Sequence, residues 1–495
     1  MRIFHHGILI NEVYSILTAW RIKMPVAVKE RLLDLLDKNH QSYCDLVTFF
    51  LDSDISTPDK ERKASAFLKK EIHTLNSSYS DFPSNLVEIH EWIVSSNKNQ
   101  CHEYQLYKER RNSGAEREYF KNVSQAFEFL IKVAPVKRVD GSWLYSIVHY
   151  WKDPVFRDLI QIYVEELGVG LAKANHVTVY DDLLFSLGLE HFILELEDEY
   201  YHQPAIQLAL AYAPPEFIPE IIGFNLGYEQ LPLHLLITNY ELKELGINSQ
   251  YFNLHITIDN MDNGHAHLSI KALEKIYCKF KDKDVFMDKV KAGFALNNKG
   301  LSSLQIIKNL NLEALVLKIL KRKALVGNVI HSDKCKLNNR SINEWLSEPN
   351  LVEEFIDLLI EKQWIKMNRD PEESRFWHLI SHEEGKMYGV FNSTEKQIIY
   401  DWIAGEHFKH LNLKHQQINS AHKNNNDFMF SYLSDGELEE IQYQISETGN
   451  LAMKMNKLLP YLAPHAHHSE VGLWCTQCFV DLLFPFLSDK KSSRY

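Results

Sequence analysis

One stretch, residues 251–272 (YFNLHITIDNMDNGHAHLSIKA), constrains the fold of this chain more than any other. His255, Asp259 and Asp262 stand at positions i, i+4 and i+7, so on a helix they share one face and span about two turns. The residues between them are mostly apolar. Buried imidazoles and carboxylates are costly unless something pairs with them, and a metal ion can take several at once. The spacing therefore predicts a metal site inside a helical protein.

A second group of candidate ligands lies upstream. Glu165 and Glu166 close one helical run, and His176 opens the next run ten residues after Glu166. On a straight helix Glu166 and His176 would point about 80° apart, so both reach one centre only if Gly168 and Gly170 distort the chain between them. Taken alone, His176 is also compatible with a core or capping histidine.

The third group comes from an apolar run between Pro219 and Leu236, which predicts a buried helix. Glu220 and Glu229 interrupt this run nine residues apart, so on one helix they face opposite sides and at most one meets the centre. Glu229, in the middle of the run, is the better candidate. Glu220 lies in a first turn, where the helix dipole stabilises a carboxylate without any metal.

Three separate helices thus offer carboxylates and imidazoles. When such groups project from facing helices of a bundle, they hold two iron or manganese ions. Carboxylates neutralise and bridge the ions, and the imidazoles leave open positions at which dioxygen can bind. Soft ligands are missing from this set, which argues against copper(I) and iron–sulfur clusters.

The same segments resemble the haem-oxygenase-like diiron oxidases and oxygenases, and specifically the branch described as iron-containing redox enzymes. The resemblance is carried by APVKRVDGSWL, YVEELGVGLAKANHVTVYDDLL, FIPEIIGFNLGYE and LHITIDNMDNGHA, in the order found in the family, and weaker similarity extends it over about residues 125–405. It implies a seven-helix bundle without haem, in which two irons activate dioxygen to oxidise amino acids, amines or fatty acids.

The resemblance also implies a set of metal ligands. The motifs assign Glu166, His176, Glu229, His255 and Asp259. In many relatives the last ligand is a histidine three residues after the aspartate, but here that position is Asp262, and His265 is the histidine that this branch appears to use. Whether Asp262 or His265 closes the site stays open. The first core helix of relatives donates a glutamate, for which this chain offers Asp140, in a predicted turn, and Glu128, which stands too early.

The helical spacing continues outside the matched motifs and predicts an all-α protein, with a haem-oxygenase-like bundle core and additional, mainly helical N- and C-terminal regions. The polar segment SSNKNQ at 95–100 is interpreted as a linker, and Glu384-Gly385 as the turn of a short hairpin. The predicted units are a helical region at 1–100, the core at 115–285, a helical region with the hairpin at 286–410 and a helical tail at 411–495.

Composition narrows the partners and the compartment. A balance of 54 Lys+Arg against 66 Asp+Glu gives a formal charge of -12, which argues against nucleic acid or an anionic membrane as a partner. Six scattered cysteines do not form the framework of a secreted domain, and the N-terminus lacks the features of a signal peptide. No window approaches the 18 apolar residues of a membrane span. These features predict a soluble, cytoplasmic protein.

The tail contains one further cluster of ligand-type residues, PHAHHSEVGLWCTQC. His465, His467 or His468, with Cys475 and Cys478, have the residue types and the CxxC spacing of a tetrahedral zinc site. The set matches no standard zinc spacing, and the alternative is a histidine-rich turn before a helix with buried thiols.

The sequence therefore predicts a non-haem diiron oxygenase or oxidase that acts on a small organic substrate with dioxygen, and it leaves an external electron donor and a homodimer open. Two alternatives remain. One is a helical binding protein whose site no longer turns over, and the other is a cofactor-free enzyme on the same fold. The amount of iron bound per chain distinguishes the diiron enzyme from the two alternatives.

Overall fold

The computed structural model describes residues 42–75, 82–83, 85–258, 264–327, 334–407 and 435–489, and these residues are mainly helical. This confirms the all-α prediction. The α-helices, in chain order, are α1 (Tyr43–Leu51), α2 (Thr57–His73), α3 (Leu86–Asn112), α4 (Val123–Lys137), α5 (Arg157–Glu166), α6 (His176–Leu187), α7 (His202–Ala211), α8 (Ile218–Tyr228), α9 (Leu233–Glu244), α10 (Gln250–Ile258), α11 (His265–Lys279), α12 (Lys283–Leu296), α13 (Ser303–Lys308), α14 (Leu312–Gly327), α15 (Ile342–Trp345), α16 (Pro349–Glu361), α17 (Arg375–Ser381), α18 (Ser393–Ala404), α19 (Asp435–Ser446), α20 (Leu451–Leu458), α21 (Glu470–Leu483) and α22 (Pro485–Asp489).

Side-chain caps define where many of these helices begin. The residue before the first helical turn accepts a hydrogen bond from a backbone N–H of that turn, which would otherwise lack a partner. A serine, asparagine or aspartate does this before many of these helices, including those that follow Ser42, Ser56, Asn85, Asn122, Asn175, Asp282, Ser302, Ser341, Asn392, Asn450 and Ser469. The helix starts are therefore encoded locally.

The predicted linker at 95–100 is wrong. These residues lie inside α3, which is anchored to the rest of the fold by buried Ile89, Ile93 and Tyr107. Ser95 to Gln100 are polar because they belong to a helix that runs along the surface, and a solvated helical face has the same composition as a linker.

The predicted hairpin at Glu384-Gly385 is also wrong. Turns occupy this segment, and Gly385 N–H donates to the carbonyl of His382. Within the described residues, the strands are β1 (Lys336–Leu337) and β2 (Arg340–Ser341), which pair antiparallel. Asn338 and Asn339 between them have φ values of 48° and 64°, the left-handed conformation that a tight two-residue hairpin turn requires.

Two apolar clusters form the core. One joins α5, α7, α8, α11 and α12 with α1 to α3 and the C-terminal helices α20 and α21. The other joins α4, α6, α9 and α10 with α14, α16 and α18. In the first cluster α8 and α12 cross closely, since a Cβ on Gly223 would lie 1.8 Å from the carbonyl oxygen of Val290. The buried ends of helices from both clusters meet at the centre described below.

Residues 435–489 pack on the core rather than standing apart. The hydroxyls of Tyr145 and Tyr163 donate to the carbonyls of Leu459 and Leu462, and Arg157 donates to the carbonyl of Leu483. Among the described residues, no helix combines the length and the apolar composition needed to cross a bilayer. The predicted division into four units is not tested by these contacts, and residues 1–41 lie outside the described part.

Candidate metal centre

The loop between α5 and α6 brings Glu166 to His176. Glu166 is the last residue of α5, and residues 168–170 follow with φ values of 64°, 49° and 84°. This left-handed run reverses the chain, after which Asn175 caps α6 and His176 is its first residue. A Cβ on Gly168 would lie only 2.3 Å from the backbone nitrogen of Asn175. The position therefore requires glycine for space as well as for φ.

Four buried side chains form the first group of the centre. Asp140, Glu166, His176 and His255 each offer one ligand atom, and these atoms all lie within 4.8 Å of one another. His176 Nδ1 lies 2.6 Å from Glu166 Oε2 and 3.7 Å from Asp140 Oδ2. His255 Nε2 lies 3.0 Å from the same Asp140 oxygen. Asp140 and Glu128 were the two candidates for the ligand from the first core helix, and the structure places Asp140 in this group.

A second group shares Glu166 with the first. Glu166, Glu229 and His265 again converge within 4.8 Å. His265 Nδ1 lies 3.0 Å from Glu229 Oε2 and 3.2 Å from Glu166 Oε1. The two oxygens of Glu166 therefore face different groups, because Oε2 faces His176 and Oε1 faces His265.

The helices that carry these residues differ from the predicted ones. Residues 251–272 do not form one helix, because α10 ends at Ile258 and α11 begins at His265 after Gly264. His265 reaches the centre from this new helix start. Asp259 and Asp262, which were predicted as ligands from a single helix face, lie outside the described residues. The structure therefore places His265 in the centre, and the prediction of Asp262 is not tested.

The helix predicted from Pro219 to Leu236 is interrupted as well. α8 ends at Tyr228, and Glu229 caps its C-terminus instead of lying in mid-helix. Glu220, at the start of α8, points elsewhere and lies 3.4 Å from Lys289. Glu128 is also outside the centre, since its carboxylate accepts from the backbone nitrogen of Asn311 and pairs with Lys132 at 2.6 Å.

The pKa values in the centre reflect buried charged groups that lie close together. Burial by itself would raise the pKa of Glu166, but His176 and His265 outweigh it and lower that pKa to about 2. Burial alone would lower the pKa of His176, but Glu166 and Asp140 raise it to about 10. Burial raises the pKa of Glu229 to about 6, against the opposing effect of His265. Each charge in the centre is therefore tolerated only through its neighbours.

Two buried carboxylate oxygens fit a cation. Asp140 Oδ1 and Glu229 Oε1 have no hydrogen-bond partner among the described residues, although both side chains are at most 4 % exposed. A buried carboxylate oxygen normally has a partner, and a hard metal ion provides one. The donor set of carboxylate oxygens and imidazole nitrogens suits iron(II) and manganese(II), so the residues present fit the ions that were predicted.

Glu165 and Tyr251 support the centre in roles that were not predicted from the sequence. Glu165 Oε2 lies 3.0 Å from His265 Nε2, which turns Nδ1 of that ring towards the second group. The hydroxyl of Tyr251 donates to Asp140 Oδ2, and the carbonyl of Tyr251 lies 3.0 Å from His255 Nδ1. A proton on Nδ1 leaves Nε2 of His255 free to act as a ligand. The only sequence clues were that Glu165 directly precedes Glu166 and that Tyr251 stands one helical turn before His255.

The predicted zinc cluster of the tail does not form in the described part of the chain, where no three of its donors converge in a metal-binding group. His467 is buried and contacts Asn175 instead, and Cys475 is a buried thiol on α21 whose pKa is raised by burial. This agrees with the alternative of a histidine-rich turn followed by a helix with buried thiols.

The fold and the centre define a helical protein with a buried group of carboxylates and histidines whose residue types and spacing fit metal ions. Residues 127–297, about a third of the chain, match the model of the family described as "Iron-containing redox enzyme", which confirms the resemblance seen in the sequence. Every described residue of both groups lies within this range. No curated protein and no solved structure matches the chain. The family match and the centre support an iron-dependent oxidoreductase.

Proposed function

We propose that the protein is a non-haem diiron oxygenase or oxidase that uses dioxygen to oxidise a small organic substrate. The observation that carries this proposal is the position of Glu166, whose two carboxylate oxygens face two separate groups of ligands. A carboxylate shared in this way is the usual link between two metal ions in a helical bundle. A single-ion site would have no use for the second group.

Asp140, Glu166, His176 and His255 would hold one ion, and Glu166, Glu229 and His265 the other. Asp259 is proposed as an additional ligand from the segment between α10 and α11, and Asp262 stays a weaker candidate there. Iron bound at this place would supply redox chemistry with dioxygen, and manganese would fit the same donors.

The residues of the chain orient the ligands and exclude water. Glu165 and the Tyr251 carbonyl fix two imidazole rings by hydrogen bonds to the nitrogens that face away from the groups. Aromatic rings cover the same region, since Tyr251 packs edge-on against Tyr180 and Tyr228 stacks on Phe224. Tyr180, Phe224 and Tyr228 are proposed here as lining residues for a substrate, because all three are buried or nearly so and lie on or next to the ligand-bearing elements.

The substrate class is proposed from the family resemblance: an amino acid, an amine or a fatty-acid-like molecule. An oxygenase that inserts one oxygen atom into such a substrate consumes two further electrons, which an external donor would have to provide. The substrate class and the electron donor are both proposals for this chain.

Iron loading tests the proposal directly. Purified protein is loaded with ferrous iron under anaerobic conditions, freed of unbound metal and analysed. We expect close to two irons per chain and a transient visible absorption after oxygen is added. Folded protein that binds no iron would contradict the proposal and favour a binding protein or a cofactor-free enzyme. One iron per chain, unchanged in a Glu166→Ala variant, would contradict the shared carboxylate.

A further inference from the structure

A second group of metal-ligand side chains lies on the surface, outside the range of the family match. Glu372, His378 and His382 each offer one ligand atom, and these atoms lie within 4.8 Å of one another. The two histidines are four residues apart at α17 and its C-cap, and Glu372 comes from the short 3₁₀ turn before that helix. We propose that these three residues bind a divalent transition-metal ion of the zinc type.

The geometry of the group is that of three ligands around one point. His382 Nε2 lies 3.0 Å from Glu372 Oε2, and His378 Nε2 lies 3.9 Å from the same oxygen. The two imidazole rings face each other with centroids 4.2 Å apart and planes 32° apart. Histidines at i and i+4 place their rings on one helical face, where two nitrogens can ligate one ion.

A hydrogen bond holds the carboxylate in place. Trp377 Nε1 donates to Glu372 Oε1 at 2.9 Å, so the other oxygen, Oε2, is the one directed at the histidines. Ligating carboxylates in metal sites are commonly held in this way by a donor behind them. His378 Nε2 also lies 2.7 Å from the Glu372 carbonyl, and this contact would be exchanged for the ion when the ring turns towards Oε2.

The scaffold under the group is rigid. Phe376, Trp377 and Ile380 on the opposite side of α17 are at most 8 % exposed, and Trp377 packs against Tyr400. The backbone N–H of Phe376 donates to the carbonyl of Trp364. Ligands built on a fixed element keep their spacing without the ion, which lowers the entropy lost on binding.

The chemistry of the group selects the class of ion. Two imidazoles and one carboxylate are the protein ligands of many zinc sites that keep further positions open to water. About half of each of the three side chains is exposed, with values of 49 % for His378, 53 % for Glu372 and 47 % for His382, so an ion can enter from solvent and retain water ligands. Residues 370–384 also carry five carboxylates and one arginine, a local charge that attracts cations.

A bare surface ion pair is the competing explanation. Burial raises the pKa of Glu372, but the hydrogen bonds from His382 and Trp377 and the nearby histidines together outweigh it and lower that pKa, as expected for a carboxylate with donors around it. Such a pair, however, needs only one histidine. The second imidazole, which faces the first and the same carboxylate oxygen, is better explained by a three-ligand site.

Zinc titration of the full-length protein tests the proposal. Bound Zn²⁺ is followed by competition with a chromophoric chelator in the wild type and in His382→Ala, His378→Ala and Glu372→Gln variants. Because the donors of the buried centre would compete for Zn²⁺, the comparison is repeated in a Glu166→Ala background. We expect each surface variant to lose one equivalent in both backgrounds. Its affinity at that site should fall at least about 100-fold, since losing a ligand costs more than losing a partner of a ligand, which already costs about 10- to 100-fold.

The matched control is His102→Ala, because His102 is an exposed histidine on α3 outside all of the ligand groups found in the described residues. It should bind zinc like the wild type.

Copper binding provides a second test. With one equivalent of Cu²⁺ in the Glu166→Ala background, the electron paramagnetic resonance spectrum should show hyperfine coupling to two nitrogens. In the same background with His382→Ala, it should show coupling to one nitrogen. Equal zinc stoichiometry in the wild type and the His378→Ala/His382→Ala double variant would overturn the proposal. The surface variants should not change the iron stoichiometry of the buried centre, so the zinc proposal can fail while the proposed function stands.

Discussion

The side-chain amide of Asn175 donates to Nδ1 of His467 over 3.0 Å, across 292 residues of sequence. Asn175 is completely buried, caps α6 immediately before His176, and also donates to the carbonyl of Leu167. The contact therefore connects the C-terminal region, which lies outside the family match, to the loop that positions Glu166 and His176 in the candidate metal centre.

Replacing His467 by Ala should weaken iron binding although His467 contacts no metal ligand. The expected loss of affinity is about tenfold, the lower end of the range found when direct partners of ligands are removed, because His467 acts through Asn175. Equilibrium binding of ferrous iron measures it. His467→Asn restores an acceptor near the position of Nδ1 and should recover most of the affinity. If both variants lose only stability, with unchanged iron affinity, His467 is a packing residue.

Tyr251→Phe should alter the first group while keeping the core packed. The variant removes the hydroxyl that donates to Asp140 but keeps the ring that packs against Tyr180. We expect iron affinity to fall by about tenfold, with a change in the absorption spectrum of the loaded protein. Tyr180→Phe is the matched control. Its hydroxyl donates to the Leu130 carbonyl, so that variant should lose about 1 kcal/mol of stability and keep its iron.

Glu229→Gln and Glu220→Gln separate a ligand from a merely buried glutamate. Glu229 and Glu220 are 3 % and 4 % exposed and lie at opposite ends of α8. Only Glu229 belongs to the centre, so its variant should bind one iron instead of two, whereas Glu220→Gln should still bind two. Metal analysis after anaerobic loading gives the answer. Two irons in both variants would remove Glu229 from the ligand set.

Gly168→Ala should destabilise the loop that joins Glu166 to His176. The added Cβ would meet the Asn175 backbone nitrogen at 2.3 Å, and alanine is strained at φ +64°. We expect a loss of about 2 to 4 kcal/mol in the free energy of unfolding, measured by urea denaturation. A loss of iron at temperatures where the variant is still folded would show that the loop geometry also sets the centre. Gly436→Ala is the control, since among the described residues no atom outside its own helix backbone lies within 4 Å of an added Cβ.

Acidification should destabilise the docked C-terminal segment. Burial, with the nearby charges of Lys60 and His468, lowers the pKa of His465 from 6.5 to about 4, while Asp52 opposes the shift. The unfolded chain therefore binds a proton at a higher pH than the folded one, so this stability is present above pH 6.5 and is lost as the pH falls towards 4. After a discount for partial exposure we expect about 1 to 2 kcal/mol.

Urea unfolding of wild type and His465→Gln at several pH values between 7.5 and 4.5 isolates this contribution from other buried histidines. The wild type should lose more stability than the variant over this range, because glutamine does not titrate. Parallel pH profiles would show that His465 does not contribute.

Much of the centre followed from the sequence because its residues stand in local patterns. Glu166, Glu229 and His255 interrupt apolar runs, and the structure brings all three into the two groups. We expected His176 to reach the centre only if Gly168 and Gly170 bend the chain between α5 and α6. Both glycines have positive φ values, and the chain bends there. Asp259 cannot be judged in the same way, since it lies outside the described residues.

The errors share one physical cause. A polar stretch on a surface helix looks like a linker, as in α3, and an apolar run looks the same whether or not a helix breaks within it, as at Glu229 and His265. Residue type and spacing indicate which groups are buried. They do not indicate where a helix ends, and therefore which helix ends point into the core.

The sequence by itself determined an all-helical fold and the set of carboxylates and imidazoles that such a fold would bury, because helical periodicity and the cost of burying charge are local properties. Only the tertiary structure decided that Glu166 faces two groups at once, that Glu165 and Tyr251 hold the ligands, and that His467 reaches back to Asn175. Those relationships join helix ends that are far apart in the chain, and their distances depend on how the two apolar cores pack against each other.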